Sequence, residues 1–240
     1  MLIGVLETDC LAEDLQRHFG TYPQMLQHWL TKQCADLRFR VYQAIDGELP
    51  ADYRDCDAYV ITGSKHGAYD DLPWIKSLIQ WVRGAHAVQV KLAGICFGHQ
   101  LIAHALGGLT EKSKKGWGVG VHQYRIECPK LSQSLEQVEL GFLVSHQDQV
   151  VKLPPEADLT LPSPFCEYAG FRIGAHILTF QGHPEFFPDY IRHLMQSRRE
   201  RLGESCYLKA WDSLDHPTDS GSVAQWLLTA LGVDQLVCAG

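Results

Sequence analysis

The sequence predicts an α/β fold: a central, mostly parallel sheet flanked by helices, with a small additional antiparallel sheet. Two observations carry this. Over the first 108 residues, short apolar runs alternate with segments of helical spacing, the pattern of parallel strands joined by right-handed crossovers. Beyond that point short strand-like segments follow one another without long helices between them, which predicts antiparallel additions to the sheet or a small covering sheet.

The elements follow in order. "LIGVLE" at 2–7 reads as a buried strand, and 11–34 as helical, interrupted at Pro23, with Met25, Leu26, Trp29 and Leu30 on one face. "RFRVYQA" at 38–44 alternates, and "DAYVITG" at 57–63 is a buried run closed by glycine. The segment 73–85 starts a helix at Pro73 and sets Ile75, Leu78, Ile79 and Val82 on one side. "VKLAGIC" is a strand, and "GHQLIAHALGG" a helix ended by Gly107 and Gly108. In the middle, "WGVGVHQYRIE", "LGFLVSHQ", "EYAGFRIG" and "HILTFQG" read as short strands; helices return at 188–202 and 220–232. The tryptophans at 29, 74, 81, 211 and 226, and Trp117 between two glycines, are expected in the core. No repeat or linker divides the chain, so 1–240 is expected to form one domain.

Composition narrows the function classes. A net charge of −7 with no long basic stripe speaks against nucleic acid as a partner; the cluster Lys112 to Lys115 is too short. Eight scattered cysteines (10, 34, 56, 96, 128, 166, 206 and 238), with no C-x-x-C pair, fit a reduced, cytoplasmic protein better than a disulfide framework. "MLIGVLETDC" has acidic residues where a secretion signal has basic ones. No apolar run reaches the roughly 20 residues of a membrane span, so no membrane role is expected.

The stretch "AGICFGHQLIAHALGG" at 93–108 carries the chemistry. Cys96 stands between Gly94 and Gly98 where a strand gives way to a helix, the nucleophile-elbow pattern with cysteine in place of serine. A helix N-terminus there favours a thiolate. A thiolate nucleophile needs a base that later protonates the leaving nitrogen. "TFQGHPE" at 179–185 offers His183 just past an apolar strand, with Glu185 two residues on to orient the imidazole.

"GICFGHQ" followed downstream by "QGHPE" resembles the class I glutamine amidotransferases, whose triad is Cys-His-Glu in that chain order. "ITGS" at 61–64, "SHQD" at 145–148 and "GW" at 116–117 extend the likeness. "GSKHGAYDDLPW" at 63–74 resembles free-standing members related to the glutaminase half of GMP synthetase and the γ-glutamyl peptidases. The resemblance implies a flavodoxin-like sheet and catalysis by Cys96, His183 and Glu185. It implies an oxyanion hole from the Phe97 N–H and one amide of the Gly63-Ser64 loop. Relatives often have Gly-Gly-Pro there, so Gly-Ser-Lys leaves open which amide serves. It also implies substrate contacts from Gln100 and from the backbone of Ser145, His146 and Gln147.

The activity so implied is attack on the γ-glutamyl amide of glutamine or a γ-glutamyl compound through a thioester, without metal or organic cofactor. No G-x-x-x-x-G-K-[ST] signature or ammonia-accepting domain is seen, so a separate synthetase subunit is a possible partner. Ser145, His146 and Asp148 are not expected to form a serine triad, because neighbours on an extended segment alternate faces. His99 and His104 have the wrong spacing for shared metal ligation, and His66 reads as a solvated loop residue. Two competing readings are a dienelactone-hydrolase-like cysteine hydrolase, with Asp148 as the acid serving His183, and a non-catalytic amidotransferase-like binding module.

Overall fold

The computed structural model describes residues 1–233, so Cys238 lies outside the described residues. The chain opens with β1 (Leu2–Leu6), α1 (Glu13–Phe19), α2 (Tyr22–Thr31), β2 (Arg38–Tyr42) and β3 (Ala58–Ile61). Next come α3 (Pro73–Ala87), β4 (Leu92–Ile95), α4 (Phe97–Ala105), β5 (Leu109–Lys112), β6 (Gly118–Arg125) and α5 (Pro129–Leu135). Strands β7 (Glu139–His146), β8 (Asp148–Lys152), β9 (Ala157–Leu159), β10 (Gly170–Ile173) and β11 (Ile177–Phe180) follow. Helices α6 (Pro188–Ser197), α7 (Arg199–Leu202), α8 (Glu204–Ser213) and α9 (Ser220–Leu231) complete it.

Seven strands form the main sheet in the order β2-β1-β3-β4-β11-β10-β9. The first five run parallel, and β10 lies antiparallel between β11 and β9. Alternation along each strand assigns the two faces. Val5, Val60, Ile95 and Phe180 meet Leu26 and Leu30 of α2 and Leu227 of α9. Tyr59, Ile61, Leu92 and Ile177 meet Leu78 and Val82 of α3 and Leu101 of α4. Side chains of period two thus bury both faces, as a crossover-connected sheet requires.

Pro23 opens a helix rather than breaking one. It sits in the first turn of α2, behind a capping box made by Thr21 and Gln24. The four middle strands split. β10 and β11 join the main sheet; β6 and β7 pair with each other, and β5 pairs with β8. The small antiparallel sheet is therefore two separate two-stranded ribbons. Helices α6 and α8 pack Tyr190, Ile191, Leu194 and Tyr207 against Val119 and Leu143 of the β6–β7 ribbon. Helix α8, which sequence periodicity did not reveal, buries only Tyr207 and Ala210.

The tryptophans depart from expectation. Trp29 and Trp81 are buried, Trp74 and Trp226 are half-buried, and Trp211 is 39% exposed beneath the Arg192 guanidinium. Trp117 is also half-buried and lines the pocket described below. All seven cysteines among the described residues are free. Among those residues no helix is long and apolar enough to cross a membrane.

Candidate active site

The C-terminal ends of β3, β4 and β11 converge on Cys96. It follows β4 directly and caps α4 with φ 51° and ψ −100°, a left-handed backbone that a residue with a side chain rarely adopts. Such a conformation costs roughly 1–3 kcal/mol and persists only where its surroundings hold it. Here the Cys96 N–H donates to the Phe180 carbonyl at 2.8 Å, and the Gly98 N–H to the Thr62 carbonyl at 3.2 Å. The flanking glycines are demanded by contact. A Cβ on Gly94 would lie 2.6 Å from the Gly98 backbone, and one on Gly98 would lie 2.4 Å from the Ile61 carbonyl oxygen.

His183 reaches the same point from β11. Its N–H donates to the Leu143 carbonyl at 2.7 Å, tying the turn to β7. Its Nδ1 meets Glu185 Oε1 at 2.7 Å, and both side chains are buried. The ring lies face to face on Phe186, with centroids 3.9 Å apart. Gly63 fills the space between imidazole and cysteine: a Cβ there would stand 2.7 Å from His183 Cε1 and 3.6 Å from Cys96 Cβ. Burial works against a charged imidazole. The Glu185 carboxylate and then the adjacent Cys96 outweigh it, and His183 is pushed up to about 10.

The carboxylate that meets His183 is Glu185, not Asp148. The Asp148 carboxylate instead accepts from the Tyr69 hydroxyl at 2.9 Å, so the dienelactone-hydrolase-like arrangement is not formed. Nor do Ser145, His146 and Asp148 converge. Ser145 Oγ accepts from Arg198, and the His146 ring bonds the Asp148 backbone carbonyl at 3.0 Å. His146 is buried, and burial pushes it down to about 3.

The Gly63-Ser64 loop is fixed by a residue that sequence reasoning missed. Buried Thr8, just past β1, donates its hydroxyl to the carbonyls of Thr62 and Gly63 at 3.1 and 3.0 Å. Ser64 turns its own hydroxyl onto the Thr8 carbonyl at 2.8 Å. In a trans peptide the N–H points opposite to the C=O, so tethering the Gly63 carbonyl aims the Ser64 N–H away from Thr8. Because β3 lies between β1 and β4, that direction is the flank holding Cys96. Among the described residues the N–H groups of Gly63, Ser64 and Phe97 donate to no protein acceptor, whereas Lys65 donates to Asp9.

Gln100 is buried one turn into α4. Its amide nitrogen donates to the Asp148 carbonyl at 2.8 Å and to Gln181 Oε1 at 3.1 Å. Gln181, also missed, directs its own amide at Cys96 Sγ, 3.7 Å away. Its signal was present in "QGH": two residues before His183 on an extended segment is the same face. A pocket of about 290 Å³ joins these groups, lined among others by Gly63, Ser64, His66, Cys96, Gln100, Ser145, His146, Gln147 and His183. Phe97 is buried behind it, against Trp74. Among the described residues no three His, Cys, Asp or Glu side chains group so as to hold a metal ion.

A strained cysteine elbow beside a carboxylate-paired histidine, at the C-terminal edge of a parallel sheet, is the arrangement that nucleophilic-cysteine chemistry requires. The family model "Glutamine amidotransferase class-I" matches residues 20–196. "Gamma-glutamyl peptidase 3" of Arabidopsis thaliana is 37% identical over 186 residues, 74% of each chain. "GMP synthase [glutamine-hydrolyzing]" of Herminiimonas arsenicoxydans is 28% identical over 182 residues, 62% of this chain and 33% of that one. The solved structure of a glutamine amidotransferase from Methylobacillus flagellatus shares the fold, with TM-score 0.74, 22% identity, and 96% and 91% of the two chains covered. The chain belongs to the class-I glutamine amidotransferase family.

Proposed function

We propose that this protein is a cysteine amidohydrolase that cleaves the γ-glutamyl amide of glutamine or a γ-glutamyl compound. Cys96 Sγ attacks the γ-carbonyl carbon, and the oxyanion is met by the N–H groups of Phe97 and Ser64. Preorganised donors of this kind are worth about 3–4 kcal/mol each in the transition state. As the C–N bond breaks, His183 Nε2 gives its proton to the departing nitrogen, and ammonia or an amine leaves. A γ-glutamyl thioester remains on Cys96. Water then loses a proton to His183 and attacks the thioester, the C–S bond breaks, and glutamate departs.

The carrying observation is the 2.7 Å contact between His183 and Glu185 beside a cysteine held on a strained turn. With His183 pushed up to about 10, the acid is already protonated at neutral pH. The Gln100 amide hydrogens are both engaged within the protein, which leaves its Oε1 to accept from the substrate α-ammonium. The backbone of Ser145 to Gln147 also lines the pocket and would hold the α-carboxylate, while the Ser145 hydroxyl accepts from Arg198.

Glutamate release from glutamine and γ-glutamyl dipeptides by the isolated protein tests the reading. Cys96→Ala is expected to lower kcat at least ~10³-fold, with Cys96→Ser nearly as poor. Retention of more than a few per cent of activity by either variant would remove Cys96 from this role. The similarity to a GMP synthase supports a second reading, in which a separate synthetase subunit receives the ammonia. Activity that appears only when such a partner is added would select it.

A further inference from the structure

The pocket around Cys96 has two unlike ends. At one, Gln100, Gln181 and Asp148 are tied together by hydrogen bonds. At the other, His183 stacks on Phe186, and Phe186 stacks on Tyr22 at 6.0 Å. The Tyr22 hydroxyl bonds that of Tyr190 at 3.0 Å. Arg198 stands beside these tyrosines: burial pushes both hydroxyls up, and the Arg198 charge offsets part of the rise. Arg198 and Arg201 both line the pocket, and Arg201 lies over the Trp117 ring at 4.9 Å.

Among the described residues neither arginine makes an ion pair. Arg192 and Arg199, on the same run of helix, do, with Asp189 and Glu204. Among the described residues the one hydrogen bond of the Arg198 guanidinium goes to the neutral Ser145 hydroxyl at 3.2 Å. The nearby Asp9 is already matched, by Lys65 Nζ at 3.0 Å and by the N–H groups of Cys10 and Lys65. Among the described residues Lys112, Arg198 and Arg201 line the pocket without an ion pair; Lys112 lies on β5 opposite Asp148, at the Gln100 end, which leaves Arg198 and Arg201. Both lie beyond residues 20–196, the span the family model describes.

Their place relative to His183 decides what they meet. The acid must reach the leaving nitrogen, so that nitrogen sits on the His183 side of Cys96. Any substituent it carries extends past the imidazole toward Phe186, Tyr22 and Arg198. Ammonia carries none, and for glutamine these cations would have nothing to bind. An amino acid leaving through its α-nitrogen carries a carboxylate one carbon away, which a planar guanidinium can grip through two parallel N–H donors.

We infer that Arg198, with Arg201 behind it, binds a carboxylate on the leaving amine, so that γ-glutamyl amino acids are preferred over glutamine. This rests on the roles of Cys96 and His183 proposed above. The test compares γ-glutamyl-alanine with γ-glutamyl-alaninamide, which differ only in that carboxylate. The wild-type protein is expected to favour the acid about 10- to 100-fold in kcat/KM, the range for a charge-assisted hydrogen bond. In Arg198→Gln the ratio is expected to fall toward one, and in Arg198→Lys to recover in part. In a Cys96→Ala background, calorimetry should show the same preference in binding, and Arg198→Gln should abolish it. That readout needs no turnover, so it separates failure of this subsite from failure of the hydrolase reading. A wild-type ratio near one would overturn the inference. So would equal losses on both substrates in Arg198→Gln, which would assign Arg198 to the α-carboxylate of the γ-glutamyl group instead.

Discussion

Two buried histidines flank the Cys96 turn, and their proton affinities are shifted in opposite directions. His99 lies on α4, three residues past Cys96, wholly buried, with Nδ1 bonded to the Thr179 hydroxyl at 2.8 Å. Burial, with a smaller push from His146, drives it down to about 3. His183 is buried as deeply, yet it is pushed up to about 10 because Glu185 and Cys96 outweigh the same desolvation. What separates them is the partner: a neutral hydroxyl in one case, a carboxylate in the other. Burial on its own produces a neutral ring that can only pack and hydrogen-bond. Burial with a carboxylate produces a proton donor whose field is not diluted by water.

The largest effect should come from breaking the pair directly. His183→Asn is expected to lower kcat/KM by about 10³-fold, within the range for loss of a general acid-base. His99→Asn should retain catalysis per folded molecule, with the folded fraction counted by near-ultraviolet circular dichroism. Equal losses in the two variants would mean that the contrast in charge state has no bearing on the chemistry.

A smaller change tests the cause of the contrast. In the wild-type protein the alkaline limb of kcat/KM is expected near pH 10, where His183 gives up its proton. Glu185→Gln removes the carboxylate that holds that proton, so the limb should move to lower pH, with about 10²-fold less activity at its optimum. A limb that stays near pH 10 in this variant would assign the elevated proton affinity to another group.

The contrast was only half legible in the sequence. Gly94, Gly98 and Gly63 could be read because close backbone approach leaves no room for a Cβ, a local requirement with a local signature. The pairing of His183 with Glu185 was legible for the same reason: both lie in one turn. Thr8 was not, since its contact with the Gly63 carbonyl exists only because β1 and β3 pair in parallel with Leu6 opposite Ile61. Arg198 has no local signature either, and it meets the pocket only through the packing of α6 on the β6–β7 ribbon. The antiparallel strands were visible as strands. Their division between the main sheet and two ribbons depends on partners distant in the chain. Helix α8 escaped because its buried face is narrow, Tyr207 and Ala210 alone, so its sequence carries little apolar periodicity.

The smallest effect expected is on stability, where the two histidines should act at opposite ends of the pH scale. An unfolded histidine titrates at about 6.5. His183 holds its proton more tightly when folded, so its stabilisation is complete below that value and is lost as pH rises through about 10. His99 binds its proton less tightly when folded. Its stabilisation is complete above pH ~6.5 and is lost as pH falls toward about 3. Replacing His99 with Gln, which cannot take up a proton on unfolding, should therefore flatten the acid side of a stability profile and leave the alkaline side alone. Glu185→Gln should do the reverse, bringing the alkaline loss to lower pH. Urea midpoints measured from pH 4 to pH 10 separate the two. If His99→Gln shifts the midpoint by the same amount at every pH, its ring contributes packing and a hydrogen bond only, and its neutrality has no thermodynamic consequence.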